Sequence, residues 1–308
     1  MKLMILVAPS DEQQFEAMDH FHQLVTVLES QSENPLFLSP VPDKAANVLD
    51  VGTGSAAWAI DVADRYPNCT WPLISQVILA NIIIVTLYGV DLYPPPQSWV
   101  PPNCFLEVDD VTKPWLWEQK FDLIHIRFAL GAFTDKEWQR IYREAYKHLA
   151  PGGWIEQVET DVMFNCDDGS VPSDSILNAW GPNILQAAAK SGKRLDILDT
   201  MEDSIKAAGF VNLKTRTRKS PVGPWAKGLY KSIGQLQLES DLQGMEGYAM
   251  YLMTRFGTDR VWDPAEVRVT IAMTRAEMLK PTNHTYHKIR RVWAQKPLEK
   301  QSQPEAEA

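Results

Sequence analysis

The sequence is poor in cysteine. Its three thiols, Cys69, Cys104 and Cys166, lie far apart, form no C-x-x-C pair and are odd in number. A disulfide framework and a zinc site are therefore not expected, and we predict no metal of any kind. This cysteine usage is typical of a reducing compartment. We expect a cytoplasmic protein, with the nucleus as the alternative.

Positive charge is also scarce. The chain has 30 Lys and Arg against 39 Asp and Glu, a formal net charge of −9 at pH 7, and no Lys- or Arg-rich block. A nucleic-acid partner is therefore not expected. The apolar start, residues 1–8, is too short for a signal peptide, and we predict no membrane association. The hydrophobic content of 45% and charged content of 22% are those of an ordinary globular protein.

What the sequence does contain is an alternation of short apolar runs with helical patterns. The predicted strands cover residues 47–51, 87–92, 105–110, 121–126, 154–159, 210–215 and 284–294. The best-marked helix begins with a capping box, Thr134-x-x-Glu137, and the sequence Pro-Gly-Gly at 151–153 is expected to end it. This order is typical of an α/β fold with a doubly wound, mostly parallel sheet.

We expect one domain over residues 1–297. Residues 165–255 are predicted to form a helical cover that decides the substrate, and residues 298–308 to form a disordered tail.

Candidate ligand-binding groups fall at the ends of four predicted strands. Residues 50–54, Asp-Val-Gly-Thr-Gly, follow the first, Asp91 ends the second, Asp110 and Val111 follow the third, and His125 ends the fourth. Carboxyl ends of parallel strands meet at one edge, where ligands bind. Glycines let the backbone approach a ligand, Asp91 can accept both hydroxyls of a ribose, and Asp110 can accept an adenine amine. Together, these groups indicate a nucleotide-type ligand.

A dinucleotide-dependent dehydrogenase would share the first two of these features. Its G-x-G-x-x-G fingerprint is incomplete here, since Gly52 and Gly54 are followed by Ser55, Ala56 and Ala57. No hydride-transfer acid–base pair is evident either, so the dehydrogenase is the weaker interpretation.

The chain resembles the class I S-adenosylmethionine-dependent methyltransferases, and more narrowly the fungal LaeA-like family. The resemblance covers residues 9–297. Its matching stretches are residues 48–54, 58–61, 89–92, 99–104, 109–110, 121–128, 149–156, 208–210, 221–225 and 284–286. The later stretches make it specific to the LaeA-like family, which contains pathway methyltransferases and global regulators of secondary metabolism.

The resemblance implies a Rossmann-like fold with one antiparallel strand near the sheet edge, and one bound S-adenosylmethionine. The cofactor-binding residues it implies are Asp50, Gly52, Gly54, Asp91, Leu92, Asp110 and Val111. The first three would approach the methionine end, Asp91 the ribose, and Asp110 with Val111 the adenine. The expected partner is a small-molecule methyl acceptor of a secondary-metabolite pathway. The alternative is a regulator that acts through protein partners, and the lack of a basic nuclear-localisation run favours the enzyme.

The chain departs from the family pattern at Ala56, where the family has glycine. If the backbone there has a positive φ, alanine costs about 1–2 kcal/mol. If the residue merely starts a helix, the cost is small. We expect the helix start.

A second departure is the apolar segment 71–86, which lengthens the spacing between Asp50 and Asp91 beyond the family pattern. A transmembrane helix would separate the two cofactor-binding loops and is disfavoured for that reason. Two alternatives stay open, an extended buried strand with a loop and a translated intron, and we favour the intron.

The sequence does not identify a catalytic base with any strength. Holding the acceptor and the methyl group in line supplies much of the catalysis, and a base is needed only for a poor nucleophile. The candidates are His125, Glu159 and His284, each of which also has a purely structural interpretation. Arg127 is expected either to bind substrate or to pair with a neighbouring acid.

Overall fold

The computed structural model describes residues 11–41, 45–67 and 84–298. The expected tail beyond Leu298, and residues 71–83 of the apolar segment, lie outside these ranges. The strands are β1 (Ala45–Val51), β2 (Ile84–Asp91), β3 (Cys104–Val108), β4 (Phe121–Arg127), β5 (Leu149–Thr160), β6 (Val211–Pro221) and β7 (Tyr286–Gln295). The helices are α1 (Glu12–Leu28), α2 (Ala57–Arg65), α3 (Asp135–His148), α4 (Ile176–Ser191), α5 (Ile197–Ala207), α6 (Leu229–Arg255) and α7 (Pro264–Met278).

The strands form a 7-stranded sheet in the order β3-β2-β1-β4-β5-β7-β6. β7 is antiparallel to both of its neighbours, β5 and β6, while the other pairs are parallel. The predicted Rossmann-like, mostly parallel sheet with an antiparallel strand near its edge is confirmed. The strand order reverses between β1 and β4, which opens a crevice at their carboxyl ends.

Local sequence explains where α3 begins and ends. The side chain of Glu137 accepts from the backbone N–H of Thr134 at 2.7 Å, and Thr134 Oγ1 accepts from the N–H of Glu137 at 3.4 Å, which completes the capping box. The helix ends at His148, because Leu149 is already extended (φ −70°, ψ 142°). Residues 151–153 therefore lie inside β5, and the expectation that they end the helix is wrong by three residues.

Helices cover the carboxyl edge of the sheet. α1 packs along α6, and α4, α6 and α7 enclose an apolar core of their own that includes Trp180, Ile184, Leu252 and Ile271. This helical layer extends past residue 255, since α7 begins at Pro264. Among the described helices, none is long and apolar enough to cross a bilayer.

The described ends of the apolar segment lie at the opposite, amino edge of the sheet. The backbone N–H of Val85 donates to the carbonyl of Tyr66 at 3.4 Å. The side chain of Asn103 ties these ends together, because it donates to the carbonyls of Ala63, Tyr66 and Val85 at 3.0–3.1 Å. Residues 84–86, the last three of the apolar segment, pair with β1 and form the start of β2.

Candidate functional site

A cavity of about 280 Å³ lies in the crevice between β1 and β4. Its floor is formed by the loops that follow β1, β2, β3, β4 and β5. Its roof is formed by side chains from α1, α4 and α6, including Met18, Trp180 and Met245. Most ligand sites are concave, largely apolar and placed at such a switch point. The cavity is therefore the candidate functional site.

The loop after β1, residues 52–56, is called the glycine loop. The backbone N–H groups of Gly52 and Thr53 both donate to the carbonyl of Val90, at 2.9 and 3.0 Å, which ties the loop to β2. Gly52 (φ +72°) and Gly54 (φ +57°) have left-handed backbones. A Cβ on Gly52 would meet no atom within 4 Å, so a side chain there would extend into open space at the cavity. A Cβ on Gly54 would lie 3.0 Å from the sulfur of Met18. The loop thus leaves room for a ligand against its backbone.

Ala56 ends the glycine loop in the left-handed region, with φ 63° and ψ 8°. The expectation that it simply starts the helix is wrong, because α2 begins one residue later at Ala57. The N–H of Ala56 donates to the carbonyl of Thr53 at 2.9 Å, while its own carbonyl accepts from Ile60 at 2.9 Å. A tight turn and the first helical hydrogen bond therefore meet at this residue. For alanine, this conformation costs about 1–2 kcal/mol.

Asp50 is held in place by two side chains. Its Oδ1 accepts from Nδ1 of His125 at 2.8 Å, and its Oδ2 accepts from the hydroxyl of Thr53 at 2.8 Å. His125 is fully buried and stacks on Trp58 at 3.7 Å. Burial lowers the pKa of His125 even though Asp50 opposes the shift, so the ring is neutral and its Nδ1–H faces Asp50. Asp50 lines the cavity and His125 does not, so His125 positions Asp50.

Asp91 connects the glycine loop to the loop after β2. Its Oδ2 accepts from the N–H of Gly54 at 2.9 Å, and its Oδ1 accepts from the N–H of Tyr93 at 3.3 Å. Burial raises the pKa of Asp91, while these hydrogen bonds favour its charged form. Asp91 and Leu92 both line the cavity, next to the glycine loop.

The loop after β3 brings a different acid to the cavity than expected. Asp109 and Val111 line the cavity, but Asp110 does not. The Oδ1 of Asp110 accepts from the N–H and the hydroxyl of Thr112, at 3.0 and 2.6 Å. Its Oδ2 lies 3.5 Å from Nζ of Lys113. Asp110 therefore stabilises the turn, while its neighbours on either side face the ligand space.

Glu159 is buried behind the loop that follows β4. Its Oε1 accepts from the side chain of Gln157 at 3.0 Å and from the N–H of Ala129 at 3.3 Å. Burial raises the pKa of Glu159 to about 8, so the carboxyl group is mostly protonated at neutral pH. Glu159 is absent from the cavity lining, and its contacts support the backbone that lines it.

His284 lies in a separate groove on the outer surface. Its Nδ1 is 2.6 Å from Oδ2 of Asp168, and its ring stacks on Trp225 at 4.9 Å. None of the three expected base candidates therefore lines the cavity.

Of the other charged residues that line the cavity, sequence reasoning named Arg127 as a possible substrate-binding residue and missed Asp161, Asp241 and His287. Arg127, at the end of β4, lies 3.0 Å from Nδ1 of His22, and burial lowers its pKa to about 10, which leaves it charged. Asp161, Asp241 and His287 form a second charged group. The position of Arg127 at a strand end was a usable signal. The other group comes from β7, α6 and the residue after β5, so no local motif could have revealed it.

The chain is similar in sequence to known methyltransferases and to regulators of secondary metabolism. Residues 18–215 match the family model described as a methyltransferase domain. Methyltransferase pytC of Aspergillus terreus is 32% identical over 290 residues, which cover 94% of this chain and 82% of that protein. The secondary metabolism regulator LAE1 of Cochliobolus heterostrophus is 31% identical over 293 residues, which cover 92% of this chain and 87% of that protein.

The chain therefore belongs to the family of S-adenosylmethionine-dependent methyltransferases. The resemblance to the LaeA-like fungal proteins is confirmed by these relatives, and the expected cofactor, S-adenosylmethionine, by the methyltransferase family. Among solved structures, phosphoethanolamine N-methyltransferase 2 of Haemonchus contortus, in complex with S-adenosylmethionine, is 15% identical with a TM-score of 0.47. That match covers 90% of this chain and 53% of the other.

Proposed function

We propose that this protein methylates a small-molecule intermediate of a fungal secondary-metabolite pathway, and that it acts in the cytoplasm. One observation carries the proposal: the cavity joins the glycine loop and Asp91 at one end to the aromatic side chains of Trp180 and Tyr248 at the other. A cofactor and a flat acceptor could therefore meet in one continuous cavity. The similarity to pytC supports a pathway enzyme.

The residues around the glycine loop fit S-adenosylmethionine. We assign the methionine end to the open backbone at Gly52, with the carboxylate of Asp50 for its ammonium group and the guanidinium of Arg127 for its carboxylate. We assign the ribose hydroxyls to Asp91. When bound, the cofactor supplies an electrophilic methyl group on a sulfonium.

We assign the adenine to the loop after β3. Asp109 and Val111 line the cavity there, so an acid and a backbone N–H are both available to a purine edge. This assignment replaces the expected Asp110 with its neighbour, because the carboxylate of Asp110 is engaged by Thr112 and Lys113.

The helical roof supplies orientation and excludes water. Met18 and Phe21 of α1 lie over the glycine-loop end, and Phe21 packs on Phe128 with ring centroids 4.9 Å apart. Holding the nucleophile in line with the methyl group is the main catalytic contribution we assign to the protein.

Calorimetric titration with S-adenosylmethionine tests the cofactor assignment. We expect Asp91→Asn to weaken binding at least about tenfold, because hydrogen bonds to a charged group contribute about 1.5–3 kcal/mol each. Asp109→Asn should weaken binding more than Asp110→Asn, and Asp259→Asn, an exposed acid outside the cavity, should leave it unchanged. Failure of the unmodified protein to bind the cofactor would contradict the proposal.

The similarity to LAE1 supports a second candidate, a regulator that acts through protein partners. Metabolite profiles of a producing strain, with the gene deleted and then restored as the unmodified or the Asp91→Asn form, discriminate the two. A pathway enzyme predicts the loss of one methylated product and no recovery with Asp91→Asn. A general fall in unrelated products, restored by either form, would favour the partner-dependent regulator.

A further inference from the structure

The end of the cavity away from the glycine loop has an aromatic wall. Phe164, Trp180 and Tyr248 line it, and the rings of Trp180 and Tyr248 meet edge to face at 6.2 Å. Burial raises the pKa of Tyr248, so its hydroxyl stays neutral. Such walls accept flat apolar rings, and the few polar groups beside them decide which substituents bind.

A charged triad of Asp161, Asp241 and His287 stands beside this wall. Nε2 of His287 is 3.1 Å from Oδ2 of Asp241, and its Nδ1 is 3.5 Å from Oδ1 of Asp161. Burial opposes a charge on this ring, but the two carboxylates outweigh it and raise the pKa of His287 to about 10. The triad thus combines two carboxylates with one imidazolium, a formal excess of one negative charge.

The triad offers hydrogen-bond acceptors to a ligand. Both N–H groups of His287 are engaged, since Nδ1 donates to the carbonyl of Met163 at 2.8 Å and Nε2 faces Asp241. Oδ1 of Asp241 accepts from Gln237 at 2.9 Å and its Oδ2 faces His287, so each oxygen of this carboxylate still has a lone pair to offer. A ligand group that meets the triad must therefore donate a proton.

The charge of the triad further restricts which chemical class of methyl acceptor can bind. An anionic acceptor would be repelled by the carboxylates. An alkylamine would be held beside Asp241 as its ammonium form, which has no lone pair for the methyl group. The acceptor group must therefore be an uncharged hydrogen-bond donor that keeps a lone pair for the methyl group. A hydroxyl group on a neutral aromatic ring meets these conditions.

We propose that the acceptor is a neutral aromatic compound whose hydroxyl group donates to Asp241, and that Asp241 takes up its proton during methyl transfer. This inference rests on the proposed function. The O–H bond of the acceptor breaks and a new O–CH₃ bond forms, while the bond between the methyl carbon and the sulfonium sulfur breaks and leaves a thioether. The proton passes to the Asp241 carboxylate and then to solvent. A carboxylate is a sufficient base, because the hydroxyl proton becomes strongly acidic as the oxygen gains the methyl group.

Binding of matched probes without the cofactor tests the inference at equilibrium. The probes are 2-naphthol, which is neutral at pH 7, and 2-naphthoate, which is anionic, with binding followed by tryptophan fluorescence. We expect 2-naphthol to bind at least about tenfold more tightly. Asp241→Asn and Asp161→Asn should each reduce this preference to about threefold or less, because either change removes one of the two carboxylates that repel an anion. Asp259→Asn makes the same change in total charge outside the cavity and should leave the preference intact.

Turnover with labelled S-adenosylmethionine gives a second test. Label should pass to 2-naphthol and not to 2-naphthylmethylamine, and Asp241→Glu should retain part of the activity that Asp241→Asn loses. Equal binding of 2-naphthol and 2-naphthoate, methylation of the amine, or equal effects of Asp241→Asn and Asp259→Asn would overturn the inference. A protein that does not bind S-adenosylmethionine but keeps the probe preference would overturn the proposed function and the proton transfer to Asp241, and would leave only the selectivity of the cavity for a neutral hydroxyl compound.

Discussion

The backbone of Ala56 leads the chain into α2 through a conformation that L-residues rarely adopt. Its φ is 63°, and its methyl group is fully buried against Trp58 and the apolar face of α2. Ala56→Gly would relieve about 1–2 kcal/mol of strain. It would also lose about 0.8 kcal/mol of methyl burial and add freedom to the unfolded chain.

We therefore expect Ala56→Gly to change the free energy of unfolding by less than about 1 kcal/mol. Ala56→Val should lower it by more than about 2 kcal/mol, since a β-branched residue is a true outlier at this φ and the site is closely packed. Guanidinium unfolding measures both. If Gly were the more damaging substitution, Ala56 would be an ordinary helix residue.

Glu159 gives the protein a predictable pH dependence. Burial raises its pKa from the ordinary 4.5 to about 8. The folded state then binds a proton that the unfolded state releases, so this contribution to stability is full below pH 4.5. Above pH 4.5, the free energy of unfolding falls by about 1.4 kcal/mol per pH unit as the pH rises towards 8.

Glu159→Gln removes this titration and keeps the shape of the side chain. We expect unfolding experiments at pH 5, 7 and 9 to show the unmodified protein losing stability relative to the variant up to about pH 8, with no further loss above. A difference that does not vary with pH would mean that the carboxyl group is ionised in the fold.

Strands β5 and β7 are joined by a buried ion pair as well as by their ladder. Arg291 bonds to Glu156, and both side chains are almost fully buried. Glu156 also accepts from the N–H groups of Leu38 and Ser39, at 2.9 and 2.7 Å, which fixes the segment after α1 beneath the sheet. One ion pair thus connects two strands and a loop.

Arg291→Met should lower the free energy of unfolding by about 3–5 kcal/mol, because it leaves the carboxylate of Glu156 buried without its cation. Arg260→Met removes an arginine from an exposed pair with Glu266 and is the matched control, which should change stability little. Thermal unfolding of both variants makes the comparison. Equal effects would show that the Glu156 site is open to water.

The order of helices and strands was readable from the sequence because apolar runs, glycine turns and the α3 capping box are local signals. That order places Asp50, Asp91 and the loop after β3 at one edge of the sheet. It does not specify which way each side chain turns. The carboxylate of Asp110 accepts hydrogen bonds from Thr112, and Asp109 lines the cavity in its place. This difference depends on turn geometry, which the alternation of apolar and polar residues does not reveal.

The described residues on either side of the apolar segment lie close together in the fold. Val85 and Tyr66, near its two ends, are already hydrogen-bonded at the amino edge of the sheet, far from the glycine loop. We expect a protein without residues 71–83 to fold and to bind S-adenosylmethionine as tightly as the full chain, because residues 68–70 suffice to bridge such close ends. Calorimetry on the two forms makes this measurement. Loss of cofactor binding would mean that the segment supports the site.

The origin of the segment is a separate prediction. A translated intron would be absent from the mature transcript, and sequencing that message tests it. A mature transcript that retains these codons would refute the intron hypothesis. It would not change the affinity for S-adenosylmethionine that we expect of the shortened protein.

The glycine loop, the acid at the end of β2 and the methyltransferase family follow from residues that are neighbours in the chain, because short-range turn chemistry and strand order determine where they lie. The left-handed backbone of Ala56, the structural roles of His125 and Glu159, and the triad of Asp161, Asp241 and His287 do not follow from them. The backbone of Ala56 and the role of His125 depend on the packing of α2 against β1 and β4. The role of Glu159 and the triad depend on burial and on the positions of β5, α6 and β7, which come together only when the helices close over the sheet.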